Sequence, residues 1–278
     1  LTVDGVARAF KGQVRFIASE AEFTPYYSLT AADRSRLSFL CEVVFDEQKH
    51  TYRVNGEIIP GTTSILGVIN KPALIAWSAA AAAKYVQEHL LPGKALSAVE
   101  IETLCLEAKA AHRKKKDTAA DIGHLTHAWI ENYIKDNQEE LPINKEAKNG
   151  CQAFLTWLIQ NKVDFIKSEQ RIYSKKYNYA GTLDALAVVN GELTLIDFKT
   201  GSGCYPEMGY QLASYQLAFE EEFTETHITK RLICNIKKTG ELETKEYPEY
   251  EKDRDVFLAS MVLWKRQQEH KEESKLSK

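Results

Sequence analysis

Sulfur, long apolar runs and an excess of either charge are all scarce in this sequence. Five cysteines (Cys41, Cys105, Cys151, Cys204 and Cys234) are scattered over 278 residues. Their odd number and the lack of any Cys-x-x-Cys spacing argue against a disulfide framework, a zinc ribbon or an iron–sulfur site, and fit reduced thiols in a cytoplasmic setting. The most apolar stretch, residues 73–86, is alanine-rich and interrupted by Lys84. It falls short of the roughly 18 residues a membrane helix needs, so no membrane role is expected. No secretory leader is visible, and an opening on Leu1 reads as a processed or truncated end. Lys and Arg number 36 against 39 Asp and Glu, a net charge of −3. That balance excludes a wholly basic nucleic-acid binder, although a local basic channel depends on placement rather than on the sum. Internal repeats are absent.

What is present is ordinary globular material, 44% hydrophobic and 27% charged. The length allows one large domain or a domain with an appendage. Residues 14–18 alternate as a strand and residues 37–44 form a second strand candidate. From Phe45 onward, alternation around Asn55-Gly56 predicts a hairpin, since Asn-Gly is the strongest short turn signal. Thr62-Thr63-Ser64 offers an N-cap to a helix from residue 65, and Lys71-Pro72 opens a helix reaching residue 89. Residues 96–116 continue as helix into the basic run His112-Arg113-Lys114-Lys115-Lys116, a solvated face or a contact for a phosphate backbone. Further helices are predicted over 121–135 and 148–160. The periodicity then switches to three strands (169–173, 182–189 and 193–198), a helix (208–223), a strand (227–236) and a closing helix (253–268) with a frayed charged tail. The resulting fold class is α/β, its acids on the central strands.

Two apolar runs each deliver a carboxylate. Gly181-Thr182-Leu183-Asp184 heads one strand, and Leu195-Ile196-Asp197-Phe198-Lys199-Thr200 closes the next. Residues two apart on a strand share a face, so Asp197 and Lys199 project together. A carboxylate inside an apolar strand is costly without a partner, which a cation or Lys199 would supply. Paired acids that hold a hard divalent cation, beside an ammonium that offsets phosphate charge, are equipment for phosphodiester hydrolysis. The bland alternatives are a turn aspartate at Asp184 and a simple surface ion pair between Asp197 and Lys199.

Downstream, Gln211 and Tyr215 lie four apart on a predicted helix and share one face. Gly-x-Leu-Asp, a short hairpin, Asp-x-Lys-Thr and Gln-x-x-x-Tyr, in that order, resemble the PD-(D/E)xK nuclease superfamily in its RecB-like branch. That branch includes phage and mitochondrial genome-maintenance exonucleases. The resemblance covers roughly residues 44–245 and implies a restriction-endonuclease-like core: a central mixed sheet flanked by helices in α-β-β-β-α-β order. It implies metal ligation by Asp184, Asp197 and the main-chain carbonyl of Phe198, with Lys199 catalytic and Gln211 and Tyr215 supporting the site and the DNA strand. Gly123-His124-Leu125-Thr126-His127 matches the branch's Gly-x-x-x-His motif and makes His127 a further ligand. Without the downstream motifs, a hydrogen-bonded helix-face histidine would be preferred. Glu169, at the start of the preceding strand, is a candidate for a second cation or water. Mg²⁺ or Mn²⁺ is the implied cofactor, and the absent cysteines imply no iron–sulfur cluster.

The implied activity is a metal-dependent deoxyribonuclease, an exonuclease on linear DNA in replication, recombination or repair, bacterial or phage-encoded. Its partners would be DNA and a helicase, recombinase or single-strand-binding protein. A catalytically inactive nucleic-acid-binding module is the alternative, which the complete Asp184, Asp197 and Lys199 set opposes. The tyrosines Tyr173, Tyr177 and Tyr179 are candidates for base stacking or for plain packing.

Residues 1–43 read differently. The stretch GQVRFIASEAEFTPYYSLTAADRSRLSFLCEV resembles the β-barrel region of HlyD-type membrane-fusion adaptors. The lipoyl-like part, helical hairpin and membrane anchor of that family are not found here. The division expected is therefore a β-rich appendage at 1–43, chimeric or truncated and unable to export, and a nuclease domain at 44–278. An ordinary β-hairpin extension of the main domain is the bland alternative, and an export adaptor, supported by residues 1–43 alone, is the lowest-ranked functional reading.

Overall fold

The computed structural model describes residues 43–90, 93, 95–135 and 140–276. The adaptor-like stretch and the strand expected at 14–18 lie outside the described residues. The strand expected over 37–44 contributes only Val43 and Val44, which begin β1 (Val43–Asp46). With β2 (Thr51–Val54) and β3 (Glu57–Ile59) it forms an antiparallel three-stranded meander. Asn55 and Gly56 both adopt positive φ, 51° and 85°, as the tight turn between β2 and β3 requires. The inner face of this meander, Val43, Val54 and Ile59, packs on Ala180.

Helix α1 (Thr62–Leu66) corrects the expected cap: Gly61 takes the cap position and Thr62 is already helical. The Thr62 hydroxyl is committed elsewhere, 3.1 Å from Ser214 Oγ and 3.4 Å from the Ala180 carbonyl. Helix α2 (Pro72–His89) starts on proline, which forfeits no helical hydrogen bond in the first turn. The helices expected over 96–116 and 121–135 are one, α3 (Ala98–Ile134), 37 residues long and opened by a Ser97–Glu100 capping box. No proline or glycine stands between 117 and 120 to break it, so the helix runs about 55 Å. Helix α4 (Lys145–Gln160) is capped by the Asn144 side chain.

The main sheet has the order β4 (Asp164–Ser174), β5 (Tyr179–Val189), β6 (Glu192–Lys199), β7 (Lys230–Ile236) and β8 (Leu242–Glu246). It is mixed: β6 and β7 are parallel and the other neighbours antiparallel. A parallel pair needs a long connection, supplied by α5 (Pro206–Glu222). Strand β8 gave no sequence signal because an exposed edge rich in charge shows no alternation. Helix α6 (Tyr250–Leu276) continues through the tail expected to fray.

Both faces of the sheet are covered, which explains the near-continuous apolar run of β5. Leu186, Leu195 and Ile233 pack with Leu212, Phe219 and Phe257 of α5 and α6. Ala185, Ile196, Phe198 and Cys234 pack with Trp129, Ile130, Phe154 and Trp157 of α3 and α4. The protein is a mixed α/β fold in three layers. No helix among the described residues is long and apolar enough to cross a membrane.

Candidate active site

The β5–β6 ladder stops one step short of the two acids. Its last pair is Ala185 with Ile196, so Asp184 and Asp197 flank the point where the strands part. In place of a ladder bond, the Phe198 backbone N–H donates to Asp184 Oδ2 at 2.7 Å. Asp197 is 1% exposed, and its two oxygens are divided between neighbours. Oδ1 accepts from Gln211 Nε2 at 3.1 Å, and Oδ2 forms an ion pair with the Lys199 ammonium. The same Gln211 nitrogen lies 2.8 Å from the Tyr215 hydroxyl. The Tyr215 ring closes over Gly181, where an added Cβ would meet it at 2.6 Å. That close approach is the physical reason for glycine in Gly-x-Leu-Asp.

Charge crowds this point. Burial, then the Asp197 carboxylate, pushes the Asp184 carboxyl well above its ordinary range, while Lys199 and the Phe198 N–H oppose the rise. Burial alone would lower Lys199, but the carboxylates of Asp197 and Asp184 outweigh it and hold the ammonium above its usual value. Tyr215 is pushed well up by burial and then by the same two carboxylates, so its phenol stays protonated.

Helix α3 closes the other side. His127 is lowered by burial and then by the Lys199 ammonium, with Asp197 opposing, so the ring stands neutral beside the pair. Its ring meets Phe198 edge-on at 6.5 Å between centroids. Gly123, one turn earlier, lets the helix approach the end of β6: a Cβ there would lie 2.6 Å from Thr200 Oγ1. His124 is exposed. Glu169 sits on β4 between the pairs Ser168–Ala185 and Gln170–Leu183, opposite Asp184, with φ of +50°. A non-glycine residue in that region inside a strand is strained, and such strain collects at functional sites. Burial, then Glu131 of α3, pushes Glu169 up to about 7, with Lys135 opposing and Asp197 adding to the rise. Glu131 itself pairs with Lys135.

Asp197, Lys199, Gln211 and Tyr215 are joined by direct contacts where β5 and β6 separate, Asp184 bonds the backbone beside them, and His127 and Glu169 approach from α3 and β4. The Phe198 carbonyl belongs to the same strand end. Three further residues join them. Glu131 was signalled by its i+4 spacing from His127. Tyr52, whose hydroxyl is 3.0 Å from Thr182 Oγ1, and Asn235, the ladder neighbour of Lys199, carried no signal. Asn235 is wholly buried, and neither of its amide atoms has a hydrogen-bond partner among the described residues. Of the tyrosines considered for stacking, Tyr179 is core, its hydroxyl on the Ser214 carbonyl. Tyr177 packs against that core under Lys176, and Tyr173 binds Asn178.

Compared with known family models and curated proteins, the chain matches none. Among the described residues no three His, Cys, Asp or Glu side chains already converge on one point. The side chains that could hold a hard cation keeping most of its waters are Asp184 and Glu169, raised by burial and then by neighbouring carboxylates, with the neutral His127 imidazole alongside.

Proposed function

We propose that this chain is a metal-dependent nuclease that hydrolyses phosphodiester bonds of linear DNA, acting as an exonuclease on a restriction-endonuclease-like core. The observation that carries the reading is the buried Asp197–Lys199 pair set against Asp184 at the parting of β5 and β6. The mixed five-stranded sheet, with α4 before β4 and α5 linking the parallel pair β6 and β7, supports this reading.

Asp184, Asp197, the Phe198 carbonyl and His127 would hold Mg²⁺ or Mn²⁺, with Glu169 serving a second ion or water. A bound divalent cation supplies an acidified water and charge compensation on the phosphate. Gln211 Nε2 donates to both the Asp197 carboxylate and the Tyr215 hydroxyl, tying the acid to the phenol. Lys199, held protonated by its two acids, offsets charge that grows on the phosphoryl oxygens. His127, kept neutral, has a nitrogen lone pair to offer.

The test is hydrolysis of end-labelled linear and circular DNA, single- and double-stranded, with Mg²⁺, Mn²⁺ or EDTA, beside Asp197→Ala. Metal-dependent loss of linear substrate, abolished by the substitution and sparing circles, is the expected result. No cleavage with binding intact overturns it in favour of an inactive nucleic-acid-binding module.

A further inference from the structure

Three rings crowd the outer end of the meander. Phe45 and Tyr52 face each other across the β1–β2 ladder with centroids 4.6 Å apart, and His50 stands 5.4 Å from Phe45. They continue the inner face whose deeper residues, Val43 and Val54, are buried against Ala180. Phe45 and Tyr52 keep part of their surface in water, and His50 is exposed.

Their place on the molecule is fixed by Tyr52. Its hydroxyl meets Thr182 Oγ1 at 3.0 Å, and Thr182 is two residues before Asp184 on the same face of β5. Burial raises the Tyr52 phenol and Thr182 opposes; beyond these it feels Glu169, Arg171 and Asp184, so the Tyr52 ring borders the acids. Arg171 ties the meander to β4 through the Val43 carbonyl at 3.2 Å while remaining exposed. Aromatic faces near an exposed guanidinium, adjoining the proposed phosphodiester site, suit an unpaired nucleotide: a surface for the base and a cation for the backbone.

We infer that Phe45, His50 and Tyr52 form a stacking subsite for a base of single-stranded DNA next to the scissile phosphate. The inference rests on the nuclease reading, and its test separates the two. Anisotropy of a labelled single-stranded oligonucleotide is measured in Ca²⁺, against the same sugar–phosphate strand made abasic. The proteins are the parent, Phe45→Leu, which keeps apolar volume without a ring, and His50→Ala, with folding checked by circular dichroism.

The parent binds the base-bearing strand on the order of tenfold tighter than the abasic one, and Phe45→Leu narrows that gap several-fold. Equal binding of the two strands by the parent, or an unchanged gap in both variants, overturns the subsite. Cleavage in Mg²⁺ is scored separately. A cleaving parent whose gap does not respond to Phe45→Leu loses the subsite alone. An inert parent with a gap that collapses in Phe45→Leu keeps the subsite and loses the nuclease.

Discussion

The Phe198 backbone N–H and the Asp184 carboxylate meet across 2.7 Å at the point where β5 and β6 cease to pair. One side chain has replaced a rung of the sheet. The exchange leaves both acids at the mouth of the split, with Lys199 the ammonium bound directly to one of them.

The first prediction concerns pH. Glu169 has an ordinary value of 4.5 and is raised to about 7 by burial, then Glu131. Between those values the folded state binds more protons than the unfolded state, so its contribution is present in acid and lost as pH rises toward 7. Asp184 works in the same sense, while His127, lowered by burial and Lys199, works oppositely below its ordinary 6.5. The informative quantity is therefore a difference. Glu169→Gln should melt with the parent near pH 4.5 and above it near pH 8, with Mg²⁺ narrowing the gap at the higher pH. A gap independent of pH in thermal melts would show that Glu169 does not carry the buried charge assigned to it.

Lys199 separates charge from chemistry. Lys199→Ala strands Asp197 beside Asp184 without its cation. Complete removal of one member of a buried pair costs about 3–5 kcal/mol, and Lys199, whose side chain keeps 26% exposure, should cost about 2 kcal/mol. Mg²⁺ should return part of that stability at neutral pH, yet the rate should stay at least ~100-fold below the parent. Urea melts with and without Mg²⁺, beside single-turnover rates, read both effects. Rates that recover with stability would reduce Lys199 to a structural counter-ion.

How much of this was legible in the residues varies with the kind of signal. Strands β5 and β6 announced themselves as apolar runs, and the acids within them stood out because a carboxylate there is costly. The Gln211–Tyr215 spacing survived translation into structure because a helix puts i and i+4 on one face. The continuity of α3 was missed, since a basic run reads like a helix end although nothing in it stops a helix. Strand β8 was missed because its residues face water on an edge. Tyr52 lies 130 residues from Thr182, and no local pattern encodes a contact made by folding the meander over β5.

Gln211 links one acid to one phenol. Gln211→Ala would leave the Tyr215 hydroxyl, buried with its residue, and Asp197 Oδ1 each short of a partner. An unsatisfied buried group costs about 1–3 kcal/mol, so destabilisation in that range is expected. Gln211→Glu keeps the reach but adds a further carboxylate beside Asp197, and should lose activity more severely than Gln211→Ala. The reverse order of rates would mean that Gln211 acts through packing rather than through its amide.

Gly123 gives the sharpest test of why a glycine precedes His127 by one turn. Alanine in a helix interior is favoured over glycine by about 1 kcal/mol, so Gly123→Ala should stabilise the protein if nothing touches that position. Here the new Cβ would lie 2.6 Å from Thr200 Oγ1, immediately after Lys199. Either Thr200 turns away or α3 retreats, and a retreat carries His127 from the acids. Gly123→Ala should therefore lose activity, on the order of tenfold, with little net change in stability. Adding Thr200→Ala removes the colliding oxygen and should restore the rate while revealing the helix gain as a higher melting temperature. Failure of the double substitution to recover activity would show that Gly123 serves some need other than the approach of α3 to the end of β6.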